Sequence, residues 1–486
     1  MKKASLFRAV RLLTGWCVFL AFAAAGAGFA APQVARGALV PSLLAGTLYA
    51  AAFWIAAALL GGRFYCACFC PLGVLQDIAS IFRRKYALRR DRKTLRFTVL
   101  AVCVIAAAAG IVLPLAGLDP YSNFGRFGDR LLRPAVAAVG DFLWGTLRWE
   151  AVTPLEKHTF SWPVFGWTAG VFALFAALGV WRGRWYCDWL CPAGTLLGLV
   201  SRLSRYRLRI LPEKCVRCRK CERLCRTGAI DLGKGGIDFS RCVLCGECAA
   251  ECPAGAIAYG KSPEKTSTVS PVLPGRREFV IAAGAAAVAA AAGVVGKAGR
   301  RAPDPMPVMP PGARNWADFH ARCTGCGLCA AGCPGKTLGP ALFEYGPAGA
   351  GQMRLSFELG KCEFDCARCS SVCPTGALTP LPLRVKQRRK IGNATFRRDR
   401  CIVVRNGEDC GACAAHCPVG ALQMVPYQDD LMIPKVLPEI CIGCGSCQHV
   451  CPARPLQAMR VAGVAEPSAT PDPAEVLKKF AAAKAK

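Results

Sequence analysis

Long uncharged runs alternate with short polar breaks through the first 181 residues. Residues 12–35, 37–62, 97–118 and 159–181 contain no charged side chain. Each is long enough to cross a hydrocarbon core of about 30 Å as a helix. A fifth run, 279–296, is rich in Ala, Gly and Val and only just long enough. Residues 261–274 and 302–312 are rich in Pro, Ser and Thr or in Pro and Met, and read as linkers. The tail after residue 460, Pro/Ala-rich from Pro467 and then basic, reads as a loose end with a short helix.

Charge orients the runs. The chain has 62 Lys and Arg against 31 Asp and Glu, a net charge of +31. Residues 82–96 hold eight basic groups and one Asp, and Lys2, Lys3, Arg8 and Arg11 precede the first run. Arg182, Arg184, Arg202, Arg205, Arg207 and Arg209 follow the fourth. Residues 118–158 are balanced, with five charges of each sign. Basic loops stay inside, so the N-terminus, the 82–96 loop and the segment after residue 182 are expected in the cytoplasm of a bacterial inner membrane. The basic excess is thereby a topology signal, and nucleic-acid binding is excluded as its purpose.

Cysteine carries the chemistry. Residues 215–225 read CVRCRKCERLC and residues 242–253 read CVLCGECAAECP. Both follow the C-x2-C-x2-C-x3-C spacing of [4Fe–4S] ligands, in which the fourth Cys serves the other cluster. One cluster is therefore expected on Cys215, Cys218, Cys221 and Cys252, and another on Cys242, Cys245, Cys248 and Cys225. Arg226 stands where a Pro usually follows the fourth Cys. Four further quartets follow: Cys323, Cys326, Cys329 and Cys333; Cys362, Cys366, Cys369 and Cys373; Cys401, Cys410, Cys413 and Cys417; Cys441, Cys444, Cys447 and Cys451. Six quartets take 24 of the 31 cysteines and predict six [4Fe–4S] clusters. Zinc knuckles do not demand the closing x3-C-P, and disulfides do not explain a recurring quartet.

Two echoing segments remain, GGRFYCACFCPLG at 61–73 and RGRWYCDWLCPAG at 182–194. Each follows an apolar run that crosses in the same direction, so both Cys-x3-Cys-Pro pairs are expected at one face. Cys66, Cys70, Cys187 and Cys191 would then form a shared four-thiolate site for a cluster or a metal, with Arg63 and Arg184 offsetting its charge. The alternatives are that each pair only shapes a turn or forms a reversible disulfide. Cys17 and Cys103 read as buried hydrophobes, and Cys68 has no twin. His320, His416 and His449 lie beside quartets and read as groups that tune clusters.

Four spans, two Cys-x3-Cys-Pro motifs and a two-cluster ferredoxin together resemble the NapH family over residues 1–260, with the related NosR and CcoG proteins sharing that core. Residues 310–334, PPGARNWADFHARCTGCGLCAAGCP, and 366–377, CARCSSVCPTGA, resemble the NapG family over about 275–460. The segment GRREFV at 275–280, ahead of the fifth run, resembles a twin-arginine export signal. The fold class expected is multi-domain, an α-helical membrane domain with α+β ferredoxin modules. Its parts are a four-span domain (1–210), a cytoplasmic ferredoxin (211–260), a linker with a retained signal anchor (261–311), a periplasmic four-cluster ferredoxin (312–460) and a tail (461–486). The resemblance implies quinol as electron donor and a periplasmic reductase or cytochrome as partner. It also suggests that, among the last four quartets, the first and last exchange their fourth cysteines, as do the middle two. Quinol oxidation needs proton acceptors. Asp119, Tyr121, Glu156 and His158 in the expected outer loop are the candidates. An assembly factor for metals or cofactors, or a carrier for electrons from a cytoplasmic donor, is the alternative function.

Overall fold

The computed structural model describes residues 2–26, 36–80, 92–147, 162–233, 236–261 and 305–484. Most of the basic loop 82–96, Glu156 and His158, the arginine pair Arg276 and Arg277, and the fifth apolar run lie outside these. The chain divides into two compact units, residues 1–136 with 161–299, and residues 137–160 with 300–486.

Helix α1 (Lys2–Gly26) begins well before its uncharged run, because its basic first turns have partners: Arg8 and Arg11 both pair with Glu247. The run at 37–62 is not one helix. Gly46 adopts φ 74° and separates α2 (Leu39–Ala45) from α3 (Leu48–Gly61). Two short helices carry the first cysteine pair, α4 (Phe64–Cys68) and α5 (Pro71–Ala79). The run at 97–118 is likewise divided at Gly110, φ 80°, into α6 (Lys93–Ala108) and α7 (Leu113–Leu118). Left-handed glycines end helices in this way because they have no Cβ to clash. Next come α8 (Pro120–Phe127), a π-helical turn at Gly128–Leu132, and α9 (Arg133–Leu147). Helix α10 (Trp162–Arg182) leads to α11 (Trp185–Trp189) and α12 (Pro192–Ser201), which repeat α4 and α5.

Four membrane-length helices were expected. Among the described residues two segments are long and apolar enough, Leu6–Ala24 and Val164–Arg182. Helix α10 has 21 residues, about 31 Å at 1.5 Å per residue. Exposed Trp162 and Trp181 mark its two ends.

The same unit contains the first ferredoxin module. Strand β1 (Tyr206–Ile210) pairs antiparallel with β4 (Ile257–Lys261), Leu208 opposite Tyr259, and the short pair β2 (Ile230–Asp231) and β3 (Gly236–Ile237) lies between them in sequence. The module is clasped to the helices rather than tethered to them. Arg63 and Arg96 both donate to the Ser240 carbonyl, at 3.1 and 3.0 Å. At Gly198 an added Cβ would stand 2.5 Å from that same oxygen.

The second unit pairs β5 (Leu338–Pro340) with β6 (Met353–Leu355), β7 (Arg389–Phe396) with β10 (Met459–Ala469), and β8 (Leu422–Pro426) with β9 (Met432–Val436). Two expectations are corrected here. The tail after residue 460 is not loose: β10 runs to Ala469, and Val476 and Leu477 of the final helix, Pro473–Lys484, pack on the core. The proposed linker also ends early. Met306, Val308 and Met309 are buried and Val308 bridges Leu355, because the apolar residues among these prolines have a core to fill.

Candidate functional site

Within the Cys-x2-Cys-x2-Cys segments, the residues flanking the second Cys turn left-handed. The pairs are Leu244 and Gly246, Gly325 and Gly327, Gly443 and Gly445, and, without glycine, Arg217 (φ 51°) and Arg219 (φ 55°). This winding folds three sulfurs around one hollow. A fourth Cys then comes from elsewhere. One hollow is lined by Cys215, Cys218, Cys221 and Cys252, and a second by Cys225, Cys242, Cys245 and Cys248, the exchange expected from the spacing.

In the second unit the exchange differs from expectation. Cys373 approaches Cys323, Cys326 and Cys329, and Cys333 approaches Cys362, Cys366 and Cys369. Cys417 lines a hollow with Cys441, Cys444 and Cys447, while Cys451 approaches Cys401, Cys410 and Cys413. Neighbouring motifs in sequence therefore swap their fourth cysteines, instead of the first with the last. Each swap closes one compact α+β module. The modules meet where Cys362 N–H donates to the Cys444 carbonyl at 2.9 Å. The four quartets thus form a line: 323/326/329/373, 333/362/366/369, 417/441/444/447, 401/410/413/451.

These quartets suit a [4Fe–4S] group. Backbone N–H groups point at the fourth-cysteine sulfurs, Ala229 to Cys225 at 3.2 Å, Ala256 to Cys252 at 3.3 Å, Ala421 to Cys417 at 3.2 Å and Ala458 to Cys451 at 3.3 Å. Such bonds favour the thiolate form and tune potential. Among the described residues no three Cys, His, Asp or Glu side chains close on one point as a single ion requires. His320 stacks on Trp316 at 4.3 Å between ring centres, and exposed His416 bonds the Ala412 carbonyl through Nδ1.

The two Cys-x3-Cys-Pro motifs come together. Cys66, Cys70, Cys187 and Cys191 are buried in one cluster, close enough to act on one another electrostatically. The motifs are built alike. Cys70 and Cys191 are the residues before α5 and α12, whose first residues, Pro71 and Pro192, need no N–H partner. The arginines cross over. Arg63 Nη2 donates to the Cys187 carbonyl at 3.1 Å, and Arg184 Nη1 to the Cys66 carbonyl at 2.6 Å. The glycine three residues after each Cys-Pro cysteine leaves room for this. A Cβ on Gly73 would lie 2.7 Å from the Cys66 oxygen, and one on Gly194 would lie 2.5 Å from the Cys187 oxygen and 2.7 Å from Arg63 Nη2. The recurring Arg, Cys and Gly are therefore one reciprocal device.

Both arginines are fully buried. Arg184 pairs with Asp77 at 2.6 Å, and Arg11 and Arg226 reach the same carboxylate at 2.8 and 2.7 Å. Burial alone would raise the Asp77 carboxyl, but Arg184, Arg226 and Arg11 outweigh it and hold it well below the usual carboxylate range. Arg226, the residue in place of Pro, thus straps the quartet of Cys225, Cys242, Cys245 and Cys248, the inner quartet, to the paired motifs; its departure from the motif was legible, its purpose was not. Arg63 makes no carboxylate ion pair among the described residues; its Nη2 lies 4.0 Å from Cys66 Sγ.

Asp119 and Tyr121 are not in a solvated loop. Both are buried, at 1% and 2% exposure, where α8 packs against α1 and α5. Asp119 caps α8, accepting from Ser122 N–H at 2.8 Å and Ser122 Oγ at 2.7 Å, while its Oδ1 has no hydrogen-bond partner. Tyr186, next to Cys187, donates to the Leu118 carbonyl. Of the two cysteines expected to be buried apolar groups, Cys103 is buried but Cys17 is exposed, which corrects that reading; Cys68, without a twin, is buried as well.

These modules define a ferredoxin-type iron–sulfur protein. The family described as "4Fe-4S dicluster domain" matches residues 214–256, 322–377 and 400–454, and each match encloses one exchanging pair of motifs. The family described as "4Fe-4S binding domain" matches 43–89 and 163–210, the two repeats around the paired cysteines. The chain is 31% identical over 201 residues to the methylamine utilization ferredoxin-type protein MauN of Paracoccus denitrificans, covering 40% of this chain and 57% of that protein. It is 28% identical over 173 residues to the ferredoxin-type protein NapH of Haemophilus influenzae, covering 35% and 49%, and 25% identical to NapH of Escherichia coli over 35% and 49%. The chain thus spans about half the length of these relatives. No solved structure matches.

Proposed function

We propose that the chain is a membrane-bound electron relay that oxidises quinol and passes electrons, through its second unit, to a periplasmic reductase or cytochrome. The observation that carries this reading is the pair of crossed, fully buried arginines around four cysteines, directly beside the inner ferredoxin quartet. Burying a cation without counter-charge costs several kcal/mol. Arg63 has buried Asp188 close enough to act on it but not in ion-pair contact, and ionised thiolates at Cys66, Cys70, Cys187 and Cys191 would supply the remaining counter-charge. Four thiolates suit an iron–sulfur cluster or a metal ion, and the position beside a ferredoxin quartet favours the cluster. Six [4Fe–4S] clusters, and a seventh group at the paired motifs, supply single-electron transfer when bound.

Quinol gives up two protons with its two electrons, so a base must stand near the first acceptor. Asp119 fits, with one carboxylate oxygen fixed by Ser122 and the other unused, in a buried setting adjoining Tyr186. Tyr121 is buried beside it, while Glu156 and His158 remain candidates from sequence. The two membrane-length helices, their exposed apolar faces and the tryptophans at both ends of α10 support a membrane location. The NapG-like motifs of residues 312–460 support a periplasmic second unit, exported folded through the Arg276–Arg277 signal. The NapH and MauN relatives are named ferredoxin-type proteins, which accords with this reading.

The test is anaerobic reduction of the purified full chain by a menaquinol analogue. Bleaching of the iron–sulfur absorption is expected, with Asp119→Asn slowing it about 10²-fold or more while dithionite still reduces every cluster. A chain that dithionite reduces and quinol does not would overturn the reading.

A further inference from the structure

The quartet 215/218/221/252 differs from the other five in its surroundings. Of the 24 quartet cysteines, Cys218 alone is exposed. Around it, Lys214, Val216, Arg217, Arg219, Lys220 and Arg223 are all exposed. At the two left-handed positions flanking the second cysteine, the first and last quartets of the second unit place glycine on both sides, and the inner quartet places Leu244 and Gly246. The outermost quartet uses arginine at both, Arg217 and Arg219, a conformation that L side chains avoid. Non-glycine residues kept in such conformations cluster at functional sites.

A cytoplasmic topology signal needs basic residues in the loop but not at these two positions, beside the one exposed ligand. Acidic groups nearby are accounted for. Glu251 pairs with Lys220 at 3.0 Å, Glu222 lies 3.9 Å from Arg219, and Glu213 is exposed. Lys214 and Arg217 make no ion pair among the described residues. Arg223 donates to the Cys218 carbonyl at 3.1 Å, over the exposed ligand. Val216, 69% exposed, gives the patch an apolar centre, as expected of a small transient interface with a charged rim.

We propose that this face docks a small acidic ferredoxin, which exchanges one electron with the cluster on Cys215, Cys218, Cys221 and Cys252. In each encounter the reduced ferredoxin would give up one electron, which a cluster held by these four cysteines would accept, with no proton or ligand moving. The inference rests on that quartet holding an electron-carrying cluster. It adds a second, soluble source of electrons to the relay.

The experiment uses the full chain in nanodiscs of zwitterionic lipid and an acidic bacterial ferredoxin as the probe. Binding is read by thermophoresis and electron transfer by stopped-flow absorbance. Affinity and rate should both fall at least tenfold between 50 and about 200 mM salt. Arg217→Glu with Lys214→Glu should produce a similar loss at low salt, while iron content and dithionite reduction stay at the parent level. Arg217→Gly, which suits the backbone, should keep the cluster and weaken docking in part. Salt-independent binding, or charge reversal that leaves ferredoxin affinity unchanged and alters only adsorption to anionic vesicles, would overturn the docking proposal. A parent chain lacking this cluster's iron would overturn the electron-relay reading of the quartet instead.

Discussion

Asp77 is one carboxylate among three arginines, and its removal exposes how the paired site is held. Asp77→Asn keeps the shape but leaves Arg11, Arg184 and Arg226 short of counter-charge. A loss of about 3–5 kcal/mol is expected, as for other broken buried pairs, read as a lower unfolding midpoint of the first unit. The pH dependence follows from the direction of the shift. Because the folded carboxyl is held below its ordinary value of about 4, its stabilisation is complete above that pH and is lost as pH falls through the folded value. The parent should therefore keep its advantage over Asp77→Asn from neutral pH down to about pH 4, and the gap should close only in stronger acid. Gly194→Ala tests the other half of the device. Its Cβ would meet the Cys187 carbonyl and the Arg63 guanidinium, neither of which can retreat from a fully buried position. Overpacking costs about 1–3 kcal/mol, and loss of any group at the paired cysteines should accompany it in iron analysis.

At the scale of elements, the left-handed arginines set stability against use. Arg217→Gly should relieve strain of about 1–2 kcal/mol, less the entropy that glycine adds to the unfolded chain, about 0.5–1 kcal/mol. A small rise in the midpoint of the first ferredoxin module is expected by differential scanning calorimetry; a fall would mean that the arginine side chain contributes contacts that outweigh its backbone. This scale also separates what could be read from sequence. The quartets were legible because ligand spacing is local, and so was the exchange within 215–252, whose two motifs adjoin. The paired motifs were legible as a repeat, and their convergence was expected from the matching place of each motif after an apolar run. The helices themselves were read too long. Gly46 and Gly110 looked like ordinary residues within apolar runs, and nothing local signals that a glycine will turn left-handed. Asp119 was misplaced for the same reason, since a run that ends early brings its neighbour inside. The tail misled because Val461 pairs with Ala394 far back in the chain and Ala465 packs on the core, long-range contacts without a local signature.

For the molecule as a whole, wiring is the measurable property. Adjacent motifs exchange ligands, so Cys333→Ser should damage the cluster of Cys362, Cys366 and Cys369 and spare that of Cys441, Cys444 and Cys447. Electron paramagnetic resonance of the reduced variant should lose one centre, and the magnetic couplings passing through it should vanish with it. The Cys362–Cys444 hydrogen bond, with Phe357 packed against Gly445, joins the two modules in a line. Interrupting an interior position should therefore isolate the 323/326/329/373 end from the 401/410/413/451 end, whereas damage at either end should leave the remaining three in communication.

The crossed arginines carry a consequence of another kind. Arg63 touches the first cysteine of the later motif, and Arg184 touches the first cysteine of the earlier one. Contacts in which i meets j and j meets i are those of isologous homodimers. The repeat thus has the form of two identical subunits later joined in one gene. Asp77, whose counterpart in the later copy is Gly198, and Asp188, whose counterpart is Ala67, would be subsequent divergence. A single copy still holds both sides of the handshake. A fragment comprising one helix with its Cys-x3-Cys-Pro segment, made alone in lipid, should pair with itself and rebuild the four-cysteine centre from two chains.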